Sequence, residues 1–341
     1  ATERIGLAST LSTSHHHPFY AARLWATLDH LTRGRAAWNV VTSLNENQAA
    51  NYGEEREPTD LRYEKATEFI EVCRQLWESW DEGAVVHDAD TPCFADASKV
   101  HRIEYEGRFF RSRGPLNVVR SPQVGPAILQ AGTSPKGLDF AAAQADALFA
   151  IQPRAEDAAV YFAQIKTRMA DLGRDPDDCR ILFGAQPIIG QSEAHAVELQ
   201  EEHNSLVPIE AGLAILSAHL DFDLSNLPLD APMLDRTETE LQRMRTRYKR
   251  PDGTSLTLAE VARNHGQSVG LPQFVGTVEQ VADQMEAFFD HVGGDGFMLS
   301  PIFSPGSIEE FVDLAVPELQ RRGRFRTEYA GLTQKDHLNQ P

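Results

Sequence analysis

The 341-residue chain is poor in sulfur and in positive charge, and it has no long apolar run. Its three cysteines, Cys73, Cys93 and Cys179, are too widely spaced for a CxxC metal clamp or a paired disulfide framework, which points to a reducing, cytoplasmic setting. No stretch approaches the ~18–20 apolar residues of a spanning helix, and the first residues lack the basic-then-apolar order of a signal peptide, so a soluble protein is expected. Lys and Arg number 32 against 50 Asp and Glu, a net charge of -18 that repels phosphate backbones and anionic lipid; neither nucleic acid nor membrane is an expected partner. Familiar motifs are missing as well. There is no GxGxxG or Walker loop for a dinucleotide or ATP, and no GxSxG for a nucleophilic serine. His15, His16 and His17 stand side by side without a helix-borne carboxylate partner, so no metal site is expected.

What remains is a chain 41% hydrophobic, enough for a large core. The segment Arg4–Thr10 is short, apolar and ends in hydroxyls, as a buried parallel strand meeting a polar site would. Helical spacing follows from Pro18 to Leu31, stopped by Gly34, and Ala37–Ser43 repeats the strand pattern. A long amphipathic helix is predicted from about Leu61 to Trp80. Strand patterns return at 127–132, 147–152, 181–186 and 294–301, the last after a helix that runs from Gly276-Thr277 through Phe289. These six strands, five leading directly into helices, imply a parallel α/β sheet, with an open doubly wound arrangement as the rival to a barrel. Two stretches read as insertions: about 83–123, charged and turn-rich with a small hairpin around Ile103–Phe110, and about 194–264, helical and polar without a defensible strand. The second is placed to cover a barrel mouth.

In parallel-sheet enzymes the carboxyl ends of the strands carry the chemistry. Here those ends are uncharged: Ser9-Thr10, Asn39 with Thr42-Ser43, Gly132-Thr133-Ser134, Gln152, Gln186 and Ser300. Such a mouth suits a neutral heteroaromatic ring. The run Gln130–Gly137 sets small residues and two hydroxyls before an alanine-rich helix; it reads either as a phosphate cradle or as an ordinary N-cap at Ser134. His265, near the end of the second insertion, either overhangs the mouth as a proton donor or acceptor or is merely solvated.

These segments resemble the bacterial-luciferase-like flavin monooxygenases, in the branch of nitrilotriacetate and dibenzothiophene-sulfone monooxygenases. The resemblance runs through Thr2–Leu7, Leu28–Leu31, Gly34–Ser43, Arg62-Tyr63, Gly114–Asn117, Gln130–Gly132, Val275–Thr277 and Val316–Gly323. It implies a (β/α)8 TIM barrel, here one partial domain over 1–341, that receives reduced flavin mononucleotide (FMN) from a separate NAD(P)H-dependent flavin reductase. With O2 it would oxygenate a small organic substrate of xenobiotic type, such as an aminopolycarboxylate or a sulfur heterocycle. Carried over by position, Thr10 and Asn39 approach the flavin ring, Tyr63 and Ser134 hold its phosphate, and Gly132 and Thr133 assist. His265 is then the candidate catalytic residue, managing the proton of oxygen activation. The family commonly forms homo-oligomers.

Two departures qualify the transfer. Thr59 stands where the family usually places a histidine near the flavin phosphate, offering a hydroxyl without positive charge. The family also normally begins with two further strand-helix units; this chain opens at Ala1, not Met, directly into a strand, so either processing or truncation, or a partner subunit covering the gap, is expected. The rival functions are a deazaflavin-dependent oxidoreductase of the same architecture and a flavin-binding protein without turnover.

Overall fold

The computed structural model describes residues 2–43, 46–86, 90, 92–132, 134–220, 222–232 and 254–339. Contacts divide the chain into two compact units, residues 1–149, 164–181 and 328–341 on one side and 150–163 and 182–327 on the other.

The first unit is built on parallel strands β1 (Leu7–Ser12) and β2 (Ala36–Val41), joined by helix α1 (Pro18–Thr32). The helix starts where predicted, with His17 Nδ1 accepting the Phe19 amide at 3.2 Å as its N-cap and Pro18 supplying a fixed φ in the first turn. After the short α2 (Glu46–Asn51) comes the long α3 (Thr59–Trp77). The hairpin of β3 (Tyr105–Glu106) and β4 (Arg111–Ser112) lies within the charged stretch, and β5 (Ala127–Gln130), α4 (Pro135–Gln144) and β6 (Ala147–Ala150) complete the series. All ladders among β1, β2, β5 and β6 are parallel, in that spatial order. Parallel strands need crossover helices, which is the strand-helix alternation read from the sequence.

Helices α1 and α3 bury Trp25, Ala66, Phe69, Ile70, Val72 and Leu76 against the sheet residues Trp38 and Ile128. The Trp38 ring stacks on Trp25 at 5.7 Å and meets the edge of Phe69 at 5.9 Å, while its indole N–H donates to the Leu11 carbonyl at 3.0 Å. Each such fully buried side chain contributes roughly 1.5–3 kcal/mol, and the paired indole N–H leaves no penalty behind. Asp29, fully buried, accepts from the Gln123 backbone N–H at 2.9 Å and side-chain N–H at 2.6 Å; this ties α1 to the segment entering β5.

Helix α5 (Ala155–Asp171) has residues in both units. In the second unit β7 (Arg180–Ile189) pairs in parallel with β8 (Gln273–Gly276) and with β9 (Gly296–Leu299). β8 is the strand missed in the sequence: at four residues, with Gln273 and Gly276 at its ends, it presents no apolar run to read. Helices α6 (Glu193–Ser205), α7 (Ile209–Leu220) and α8 (Leu258–Ser268) occupy the described part of the predicted second insertion. α7 and α8 cross closely because a Cβ at Gly212 would strike the Ala262 carbonyl. Helix α9 (Val278–Val292) starts on a complete capping box of Thr277 and Gln280. It packs Phe288 against Phe183, Phe274 and Phe297 at 5.8–5.9 Å. The chain then forms α10 (Gly306–Glu310), a π turn at Phe311–Ala315, α11 (Val316–Arg321) and, back in the first unit, α12 (Gln334–Leu338). No helix among the described residues is long and apolar enough to cross a membrane.

Candidate functional site

The register of β1 on β2 sets Thr10 opposite Asn39, and the Asn39 side-chain amide donates to the Thr10 hydroxyl at 3.1 Å. This bond holds the amide and leaves the Thr10 O–H and the Asn39 carbonyl oxygen to face a ligand. Both side chains sit outside the packed face of the sheet, Thr10 exposed and Asn39 half-buried. Two residues further along, Ser12 and Ser43 bond through their hydroxyls at 2.6 Å.

A second cluster forms where α3 meets the start of α4. Ser134 caps α4, its Oγ accepting from the Gly137 amide at 3.0 Å, and the hydroxyl proton is then available to an outside acceptor. Tyr63, in the first turn and a half of α3, packs its ring on Phe140 of α4 at 5.7 Å, which fixes the phenol. A Cβ built on Gly137 would lie 2.7 Å from Tyr63 Oη, 3.1 Å from Ser134 Oγ and 3.2 Å from Gly132 Cα. A side chain at 137 would therefore collide with two hydroxyls and the Gly132 backbone, and the missing Cβ is what lets Tyr63 and Ser134 close on the start of α4. Gly132 is held in turn by its N–H donating to the buried Gln130 amide oxygen at 2.6 Å. Hydroxyl donors gathered at a helix start could hold a phosphate, and in this respect the residues fit an FMN tail.

Of the two readings of Ser134 the structure shows the N-cap, and that bond leaves the hydroxyl proton unused. Thr133 lies outside the described residues. Gly137, the wall of the cradle, was quoted in the sequence only as the end of a small-residue run; its distinguishing mark is a glycine at the third position of a helix, where propensity disfavours it.

Thr59, the first residue of α3, accepts from Arg62 Nη2 at 3.0 Å. A guanidinium thus stands directly behind the position where the resemblance leads one to look for a histidine. Arg62 is 6% exposed and also donates through Nη1 to the Thr42 carbonyl at 3.0 Å and to the Ser43 carbonyl. Burial, and then the neighbouring Arg56, lower the pKa of the Arg62 guanidinium, which nonetheless stays charged.

His265 lies in the second unit, on α8, and is 1% exposed, so it is not a solvated histidine. Its Nε2 shares a hydrogen bond of 2.8 Å with Nδ1 of His219 on α7, an exposed residue. The pair gives His265 a connection outward through a second imidazole. The second unit also holds a cavity of about 400 Å³ at the carboxyl ends of β7 and β8, walled by Ile189, Gly190, His195, Thr277, Phe303 and Glu310 among others. Nothing in the sequence marked this cavity, because its walls come from five separate segments.

Comparison with known proteins gives this geometry a family. The chain is 45% identical to the dibenzothiophene-sulfone monooxygenase of Rhodococcus erythropolis, over 99% of this chain and 76% of that protein. Its structure is similar to that of DmoA from Hyphomicrobium sulfonivorans, with a TM-score of 0.91 and 34% identity over 99% of this chain and 72% of the other. It is also similar to riboflavin lyase crystallised with modified FMN and riboflavin, with a TM-score of 0.89 and 31% identity over 99% and 75% of the two chains. These likenesses place the chain in the α/β, TIM-barrel-type fold class, and its named relatives make it an enzyme with oxidoreductase activity. The family description "Luciferase-like monooxygenase" matches residues 1–324, and the chain belongs to that family of flavin-dependent oxidoreductases.

Proposed function

We propose that this chain is the oxygenase component of a two-component monooxygenase, one that takes reduced FMN from a separate NAD(P)H-dependent flavin reductase and uses O2 to oxidise a small organic compound. The observation that carries the reading is the meeting of the Tyr63 and Ser134 hydroxyls at the glycine-lined start of α4, together with a pair of neutral strand-tip groups, Thr10 and Asn39. When bound and reduced, FMN supplies the electrons for oxygen activation. Tyr63 and Ser134 donate hydrogen bonds to its phosphate, charge-assisted contacts worth about 1.5–3 kcal/mol each. Thr10 and Asn39 orient the ring through the Thr10 O–H, the second Asn39 amide N–H and the Asn39 carbonyl oxygen, which their mutual bond leaves over. Gly132, with Thr133 beside it, lets the phosphate approach the backbone. The Arg62 charge behind Thr59 offsets the dianionic tail where a histidine is absent.

His265 is assigned the proton traffic of oxygen activation, with His219 as its link to solvent. The protein works transiently with its reductase, in the cytoplasm, and as a homo-oligomer. The test is oxygen uptake by the purified chain with NADH, FMN and a generic flavin reductase, screened across organic sulfur and nitrogen compounds. Substrate-dependent uptake with an oxygenated product is expected. Binding of FMN without such uptake would leave a flavin carrier, and absence of FMN binding would leave a deazaflavin enzyme of the same fold.

A further inference from the structure

Between β2 and α3 the first unit carries a segment, residues 46–57, that is closed on itself. Helix α2 ends with the Gly53 amide donating to the Ala50 carbonyl at 3.0 Å and the Glu54 amide to the Ala49 carbonyl at 3.1 Å, around Gly53 in left-handed conformation (φ +71°). Among the described residues, no backbone hydrogen bond ties this segment to another element, and Ala49 is its one buried side chain. At its far end no side chain caps α3. A segment with so few buried contacts and so few backbone bonds to its surroundings belongs to the least stable part of a fold.

Two side chains of the body reach out to it. The His15 ring lies flat on Tyr52 at 4.3 Å, and its Nδ1 meets Glu54 Oε2 at 2.8 Å. Lys65 of α3 donates to the Ser14 carbonyl and to Glu57 Oε1, both at 3.4 Å. Glu54 and Glu57 are 53% and 36% exposed, so each pair is a weak fastening that shifts an equilibrium by at most about fivefold. Nor is the space beneath the segment filled. Between Ala49 and residues 54–57 on one side and Ser14 and Ser43, just past the carboxyl ends of β1 and β2, on the other lies a cavity of about 160 Å³, several times the ~30 Å³ of one water.

We propose that residues 46–57 are a latched lid over the carboxyl ends of β1 and β2 and, resting on the function proposed above, that its opening sets the rate at which FMN enters and leaves. Release of His15 and Lys65 frees the segment as one piece without unfolding the strands beneath. The test is thiol labelling. Ala49→Cys, in a Cys93→Ser background, puts a thiol on the underside of the lid, while the buried Cys73 and Cys179 report global unfolding. The introduced thiol should react with a disulfide reagent faster than either native buried thiol. His15→Phe, which keeps the stack on Tyr52, and Lys65→Met should each accelerate that reaction about two- to fivefold. Salt at about 1 M should accelerate it in the parent and leave the double variant unchanged. With the cysteines unaltered, stopped-flow fluorescence should show FMN association and dissociation both several-fold faster in the double variant, at an affinity within about twofold of the parent. A thiol that reacts no faster than Cys73, or at a rate indifferent to both substitutions and to salt, overturns the lid. Unchanged FMN rates overturn the gating and leave the lid. A chain that binds no FMN fails the function proposed above, with the lid still decided by the thiol rates.

Discussion

The strand ends of the first unit and the closing helices of the second unit fix their polar groups by different means. In the first, the residues around the cradle are hydroxyls, an amide and glycine backbone: Thr10 with Asn39, Ser12 with Ser43, Ser134 with Gly137. None of these bonds depends on an ionised side chain. In the second, Arg322 bonds Glu318 at 2.7 Å, Asp283 at 2.6 Å and Glu286 at 2.8 Å, tying α11 to α9 through charge. Glu318 is held down to about 2 by its hydrogen bonds from Arg321 and Arg322. The contrast is one of means: neutral hydrogen bonds fix the strand ends of the first unit without adding charge, whereas the closing helices of the second use ion pairs as fasteners.

Breaking the neutral cradle has the largest expected effect. Gly137→Ala puts a methyl 2.7 Å from Tyr63 Oη and 3.1 Å from Ser134 Oγ, displacing both donors. The FMN dissociation constant should rise about 100-fold, the loss of two contacts at ~1.5 kcal/mol each, as read by fluorescence titration; an unchanged constant would remove the cradle from the binding site. Ser134→Ala is milder, at about tenfold in the same titration for one contact, together with about 1 kcal/mol of stability for the lost cap.

His265→Ala probes the second unit chemically. It should raise hydrogen peroxide released per product several-fold, on the order of the factors seen for misplaced proton-transfer groups. Coupling that does not change would strip His265 of its assigned role. The smallest effect sharpens the contrast itself. Because the Glu318 pKa is depressed on folding, its stabilisation is present above the ordinary value of 4.5 and is lost as pH falls toward about 2. Thermal melts of the parent and Glu318→Gln should therefore differ at pH 6 and converge near pH 2, while FMN affinity stays the same in both. A gap that persists at pH 2 would mean the glutamate acts through packing instead of charge.

Most elements were legible because their signals are local. α1 ends at Arg33-Gly34 in left-handed conformation as its stop signal foretold, and the apolar strands β1, β2, β5 and β6 fall within two or three residues of their sequence patterns. β8 was not, since a strand paired on one side and four residues long carries too few side chains to set a period. Thr10 and Asn39 could be guessed as strand-end polar residues, yet their mutual bond depends on a register that only the ladder fixes. His265 looked like an exposed histidine because α8 has polar neighbours at 263, 264 and 267; its burial comes from α7, which crosses at Gly212 and is distant in sequence. Gly137, Arg62 and His15 share this difficulty, for each takes its meaning from a partner on another segment.

Arg62 and Tyr63 are consecutive, and their side chains leave α3 toward different anchors, one gripping the end of β2 and the other bordering the space beside Gly137. A rigid helix so placed behaves as a crossbar: a displacement at one anchor is delivered to the other through a single peptide. Exchanging the loop at the tip of β2 would therefore also shift the Tyr63 phenol beside Gly137, and the two ends of that link would have to be engineered together.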